Sequence, residues 1–372
     1  MQQITHPLMS QSVGSSRELI SIHYGRGEKD LKVYMQASLH ADEVPPMLVL
    51  HHLRDMLADA DAQGKIAGNI VLVPYANPIG LSQHVARDHL GRFDLNSGEN
   101  FNRNYPEFYG LVADKIEPFL GEDETQNKQV IRNAIKTALK QIPRTTELSD
   151  MRLTLLELSH DADWVLDMHC DFEALMHLYV DTPYLEQSDG LARYLEAETV
   201  LFAEGSGGSA FDEAQSGVWY RLRDDYVGRF PIPLAGCGVT VEFRGEADVS
   251  HELAKRDAQQ LFSWLQFIGM IDGEPAAIPE PRYEATPLAG SEPLKAPSSG
   301  VLVYQKQLGD LVEAGELVAE IVHPGDQSVT PVLSSVSGKF FARENRRFAV
   351  AGMELGKVAG AKAYREGPLL GA

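Results

Sequence analysis

Five short runs of β-branched and aromatic residues punctuate the chain: LKVYMQASL from Leu31, NIVLVPYAN from Asn69, DWVLDMH from Asp163, ETVLFAE from Glu198 and GVTVEFRG from Gly238. Runs of this kind predict buried strands. Longer stretches between them carry apolar residues at helical spacing. PPMLVLHHLRDMLADADAQG opens on Pro45 and Pro46, where a missing N–H costs little, and is expected to stop near Gly64. TQNKQVIRNAIKTALKQI and HELAKRDAQQLFSWLQFIG predict two further amphipathic helices. Strands alternating with helices imply an α/β domain with a mostly parallel or mixed sheet over roughly residues 1–275.

The pattern then changes. DGEPAAIPEPRYEATPLAGSEPLKAPSSG is rich in Pro and Gly and reads as a linker wrapped on a surface. Beyond it the apolar runs are short and the turns frequent. GVLVYQKQLGDLVEAGELVAEI from Gly300 and GKFFARENRRFAVAGMELGKV from Gly338 form a weak repeat, each with a later V-x-A-G segment, at Val312–Gly315 and, one residue shorter, at Val350–Gly352. Two matched halves predict a small barrel or sandwich of related hairpins. The expected division is a catalytic α/β domain over 1–280 and a small β domain over 281–372. The second part resembles lipoyl/biotinyl carrier domains, yet no lysine lies between Lys306 and Lys339, so a swinging-arm carrier is not expected.

Composition narrows the function. The formal charge of −20 argues against a nucleic-acid or anionic-membrane partner, so an anionic substrate must be drawn by local arginines. No apolar run approaches the ~18 residues of a membrane span. The polar start MQQITHPLMSQSVGSS has no signal-peptide pattern, and two cysteines, Cys170 and Cys237, suit a reducing compartment. A cytoplasmic location is therefore expected, with a second copy of the chain left open as a partner.

Candidate chemistry begins at ASLHADEVPP. His40 and Glu43 lie three apart between a strand and a proline-started helix, so a bend at the strand end can bring both to one metal ion. A catalytic zinc takes three protein ligands, and His169, after the apolar run of DWVLDMHCD, is the candidate third, with Asp167 or Asp171 to orient it. Of the remaining histidines, His51, His52, His84, His89, His160, His177, His251 and His323 read as core or surface residues. VARDHLGRFDLNSGENFNRNYP then places Arg87, Arg92 and Arg103 within one loop. Arg92 is positioned to polarise a carbonyl, while Arg103 and the adjacent Asn102 can hold a carboxylate. Glu242 lies inside an apolar strand, where an ionised carboxylate is costly without a partner or a task, and is the candidate general base.

In this order, H-x-x-E, Asn-Arg, a His after a strand and a Glu in TVEFRG, the chain resembles the zinc carboxypeptidase-like fold. Within it the chain is most similar to the succinylglutamate desuccinylase/aspartoacylase family. That resemblance implies a mixed sheet flanked by helices with a small all-β C-terminal domain. It implies one Zn2+ held by His40, Glu43 and His169, Glu242 as general base and then acid, Arg92 on the carbonyl, and Asn102 and Arg103 on the substrate carboxylate. A further substrate arginine is implied upstream of Glu242, where Arg221, Arg223 and Arg229 compete and Arg229 is chosen. HADE departs from the family's frequent H-G-x-E, which leaves the turn to be explained. The implied activity is removal of an acyl group from a small anionic N-acyl amino acid or similar amide. A metallocarboxypeptidase acting on peptides is the alternative. A thiol hydrolase built on Cys170 is disfavoured because adjacent strand residues point apart.

Overall fold

The computed structural model describes residues 1–370. Nine strands form one mixed sheet: β1 (Gln2–Pro7), β2 (Glu18–Tyr24), β3 (Lys32–Ala37), β4 (Asn69–Val73), β5 (Trp164–Asp171), β6 (His177–Asp181), β7 (Thr199–Ala203), β8 (Cys237–Gly245) and β9 (Ala285–Pro287). Their order across the sheet is β1-β2-β4-β3-β5-β8-β6-β7-β9. The centre, β4-β3-β5-β8, is parallel, and β6 runs antiparallel to β8. The helices are α1 (Pro45–Ala62), α2 (Phe108–Ile116), α3 (Glu124–Leu139), α4 (Glu147–Ser159), α5 (Leu185–Tyr194), α6 (Phe211–Asp225) and α7 (His251–Phe267). They pack as two groups, α1 with α5 and α7, and α2 with α3, α4 and α6. One continuous core joins sheet and helices through residues such as Val33, Leu72, Leu166, Val239 and Trp264.

All five expected strands and all three expected helices form. The helix begun by Pro45 ends just before Gly64, whose φ of +69° suits a residue with no Cβ. The proline-rich stretch is more than a linker. Its Ala285–Pro287 pairs in parallel with β7, so the ninth strand comes from beyond the expected boundary at 280. Pro287 fits there because an edge strand has a side without ladder hydrogen bonds.

From Ser291 onward the chain folds on a second core that includes Leu294, Val318, Phe340 and Leu355. The two repeat halves interlock. The strand Gly300–Tyr304 pairs with Phe348–Ala349 of the second half, and Gly338–Arg343 pairs with Leu311–Val312 of the first. Neither half closes its own sheet, which explains why the repeat is needed twice. This β segment is sewn to the large sheet. Ala342 and Arg343 pair with Ala174 and Glu173, and Leu175 N–H donates to Phe341 O at 2.9 Å.

Candidate metal centre

β3 and β5 are neighbours in a parallel ladder, so their carboxyl ends lie side by side. The chain leaves β3 through Ser38, held at φ +58°, and this bend turns His40 and Glu43 back towards the strand end. Ser38 Oγ donates to Glu43 O at 2.5 Å, and Glu43 N–H donates to His40 O at 3.2 Å. Ala41 needs no left-handed conformation in this turn, so HADE serves without the glycine of H-G-x-E. His40, Glu43 and His169 are all buried, and one ligand atom from each lies within 4.8 Å of the others.

The hydrogen bonds fix which nitrogen each imidazole presents. Asn100 Oδ1 accepts from Asn102 N–H at 2.8 Å, so it is an acceptor, and His40 Nε2 must donate to it at 2.9 Å. His169 Nε2 faces Asp167 Oδ2 at 3.0 Å. Both rings therefore turn Nδ1 inward, to Glu43 Oε1 at 2.9 Å and Glu43 Oε2 at 2.6 Å. Burial opposes an imidazolium at His169, but Asp167 and Glu43 outweigh it and hold its pKa well above the usual range. Burial and Arg92 push His40 down. Burial also opposes ionisation of Glu43, yet the two histidines hold it far below the usual carboxylate range. A neutral His40 thus directs a lone pair at a carboxylate oxygen, a contact that a cation between them would make favourable. Two imidazoles and a carboxylate, each imidazole oriented by an acceptor on its far side, fit one metal ion with an open position.

Behind this corner lies a buried chain that the sequence did not disclose. Asp167 Oδ1 accepts from Gln36 Nε2 at 2.9 Å, and Tyr34 OH donates to Gln36 Oε1 at 2.8 Å. Gln36 and Tyr34 alternate on β3 with apolar residues, and a glutamine inside that run was the available signal. Asp167, one of two expected orienting groups, meets His169, whereas Asp171 instead pairs with Lys357 Nζ at 2.5 Å.

Arg92 reaches Glu43 Oε1 and His40 Nδ1, each at 3.3 Å. Gly91 allows this, because a Cβ there would stand 2.1 Å from Asp42 N. Arg87 is exposed at the tip of a hairpin of His84–Val85 and Asp88–His89, away from the cluster. Glu242 sits beside His169 in register and has a buried Oε2 with no partner. Burial and Glu43 push it up to about 8. Arg103 lines the same cavity, with Nη1 donating to Asn102 O at 2.7 Å. Asn102 is turned inward. Its Oδ1 accepts from Phe211 N–H at 2.9 Å, and its Nδ2 lies 3.4 Å from both Asp167 Oδ2 and His169 Nε2.

Arg229 is a correction. It is exposed, paired with Glu117 and set against the rings of Tyr226 and Phe230, and it does not line the cavity. Arg221 pairs with Glu107 and Arg223 with Asp224. The reason lies in α6, which points its first residues at the site. Ten residues on, at 1.5 Å per residue, Arg221 is about 15 Å along the axis. Cys170 is buried, and burial with Glu43 pushes its thiol far up, which leaves no thiolate for a thiol hydrolase.

The cluster opens into a cavity of about 580 Å³, within the range of small-molecule sites. One wall comes from the C-terminal β segment, including Arg343, Arg346, Met353 and Lys357.

Fold and cluster together define a mixed α/β protein with a candidate metal centre at the carboxyl end of its parallel strands. The succinylglutamate desuccinylase/aspartoacylase catalytic domain model matches residues 29–268, and the chain belongs to that family. Its members are hydrolases. No curated protein matches the chain. Among solved structures, a succinylglutamate desuccinylase/aspartoacylase family protein of Shewanella amazonensis SB2B is 22% identical, with a TM-score of 0.85 over 96% of this chain and 98% of its own. A counterpart from Shewanella frigidimarina is also 22% identical, with a TM-score of 0.84 over 96% and 97%. The ectoine utilization protein EutE (DoeB) of Ruegeria pomeroyi is 15% identical, with a TM-score of 0.67 over 97% and 94%. These likenesses concern the fold. Among the described residues no helix is long and apolar enough to cross a membrane.

Proposed function

We propose that the protein is a zinc-dependent amidohydrolase that removes an acyl group from an N-acyl amino acid or a similar small carboxylate-bearing amide. The observation that carries this reading is the inward pairing of both Nδ1 atoms on Glu43, with each Nε2 taken by an acceptor. His40, Glu43 and His169 would hold the ion, and zinc there supplies Lewis acidity that acidifies water. Glu242 takes the proton of the attacking water at its unpartnered Oε2 and returns it to the leaving amine nitrogen. In the metal-free fold burial and Glu43 raise the pKa of this carboxyl. A cation held by His40, Glu43 and His169 would lower it, so that the carboxylate can take the proton and then return it. Arg92 offers its guanidinium to the oxygen that gains charge, a contribution of about 3 kcal/mol for one well-placed donor. Arg103 takes the carboxylate of the amine half. Asn102, with both ends of its amide engaged, holds Asp167 and His169 in place.

The β segment from about residue 281 onward acts as a wall that excludes peptides. Its two interlocked sheets support a lipoyl-like type without the carrier lysine. Its inward residues are the support for the deacylase reading over the carboxypeptidase one. A cytoplasmic location accords with two unpaired, buried cysteines. The test is a hydrolysis screen of the zinc-loaded protein over N-acetyl, N-succinyl and longer N-acyl amino acids against peptides. Turnover of N-acyl amino acids with little peptide cleavage is expected. Preferential release of C-terminal residues from peptides would replace this reading with the carboxypeptidase.

A further inference from the structure

The cavity extends well beyond the metal corner. It crosses the sheet from β5 past β8, β6 and β7, and its far end is closed by the C-terminal tail. Leu369 N–H donates to Ser206 O at 2.8 Å, and the N–H groups of Tyr364 and Arg365 both lie 3.1 Å from Ala289 O. Arg365 lines this end. Its guanidinium is held by main chain alone, with Nη1 on Leu369 O at 3.1 Å and Nη2 on Leu288 O at 2.8 Å.

Two cations that line this cavity, Arg365 and the exposed Lys295, make no ion pair with a carboxylate among the described residues. Arg92 has Glu43, Arg343 has Glu173, Arg346 has Glu344 and Lys357 has Asp171. Arg365 has no carboxylate within 4.0 Å among the described residues, and its Nε is buried without a partner. A half-buried cation left unmatched beside a cavity favours an anionic ligand there, since desolvation strengthens the attraction. The wall on the way carries the apolar side chains Val180, Leu201, Ala203 and Leu288 together with Asp181, Asp212 and Glu213, whose carboxylates are engaged by Ser216, Thr240 and Ser206. Leu288 directly follows β9, four strand spacings from β5, so the anchor of Arg365 stands roughly 19 Å from the strand of His169. A succinyl group is too short for that span.

We propose that Arg365 recognises an anionic group at the distal end of the substrate. The acyl group removed is then an apolar arm ending in a carboxylate, an ω-carboxyacyl chain longer than succinyl. This rests on the deacylase reading, in which Arg103 already takes the carboxylate of the amine half and the remaining length falls to the acyl half.

The zinc-loaded full-length protein and its Arg365→Gln variant are to be assayed on N-acyl amino acids carrying succinyl, adipoyl, suberoyl and sebacoyl chains. Each is compared with the neutral alkanoyl chain of equal length. Binding of free suberate to both proteins is measured by calorimetry. Wild type should favour the longer ω-carboxyacyl chains. Arg365→Gln should raise their KM and weaken suberate by about tenfold or more, the loss of one charge-assisted contact, with kcat and the neutral series little changed. Arg365→Lys should recover part of the preference. A tail merely loosened by the variant would affect charged and neutral chains alike, and that result overturns the proposal, as does suberate binding indifferent to the substitution. If no amide is hydrolysed, the deacylase reading falls, while loss of suberate binding in Arg365→Gln alone still upholds the anion site.

Discussion

The metal corner and the far wall of the cavity are built by opposite strategies. At the corner, His40 and Glu43 come from one turn, and His169 from the adjacent parallel strand. His169 Nε2 is oriented by Asp167, two residues before it on the same strand, and His40 Nε2 by Asn100 from the loop that precedes α2. The wall is assembled from contacts between distant parts of the chain, such as Lys357 with Asp171 and Arg343 with Glu173, 186 and 170 residues apart. The ligands of the corner are placed by one turn and by the register of two adjacent strands. The wall depends on docking a second β unit on the large sheet. On the proposed function, reactivity and selectivity would fall on separable parts of the molecule.

The sharpest way to break this separation is to remove a corner residue. His40→Ala, Glu43→Ala or His169→Ala should each lose most bound zinc and all measurable turnover, as read by elemental analysis of the purified protein. Stoichiometric zinc in His169→Ala would remove it from the ligand set. Glu242→Gln should keep zinc and fold while kcat drops about 10²- to 10⁴-fold, the usual yield of a positioned acid–base group. A KM effect alone would move the proton transfer elsewhere.

Lys357→Met probes the wall. It strands Asp171, whose side chain is only 14% exposed, and should cost about 3 kcal/mol in denaturant unfolding. Zinc content should stay unchanged if wall and corner are separable. A further effect concerns pH in the metal-free protein. Glu242 holds its proton up to about 8 when folded but ionises near 4.5 when unfolded. The folded state therefore binds the extra proton across that window, and this group's contribution to stability falls as pH rises through it. Glu242→Gln should accordingly gain in melting temperature over wild type at about pH 8.5 and not at about pH 4. An equal gap at both would mean that Glu242 is not protonated in the fold.

How much of this was legible follows the same division. The central strands announced themselves because a strand covered on both faces is a continuous apolar run. His40, Glu43, His169 and Glu242 could be singled out because polar residues at the ends of such runs, or inside them, need a reason. β1 and β2 lie at one side of the sheet. The alternation of QQITHP, largely exposed in the fold, gave too weak a signal to mark β1. α4 escaped because it is buried on nearly every side and has no polar stripe. Arg229 was misplaced because sequence order does not say which end of α6 faces the site. Arg365 gave no signal, since only the folded tail shows that its cation lacks a carboxylate.

The most direct measurement is a crystal structure of the zinc-loaded protein with anomalous data collected on both sides of the zinc edge. One strong peak is expected in the corner, bonded to Nδ1 of His40, Nδ1 of His169 and the carboxylate of Glu43, with Asn100 and Asp167 still on the two Nε2 atoms. A peak bonded through either Nε2, or an empty corner with zinc bound elsewhere, would contradict that expectation.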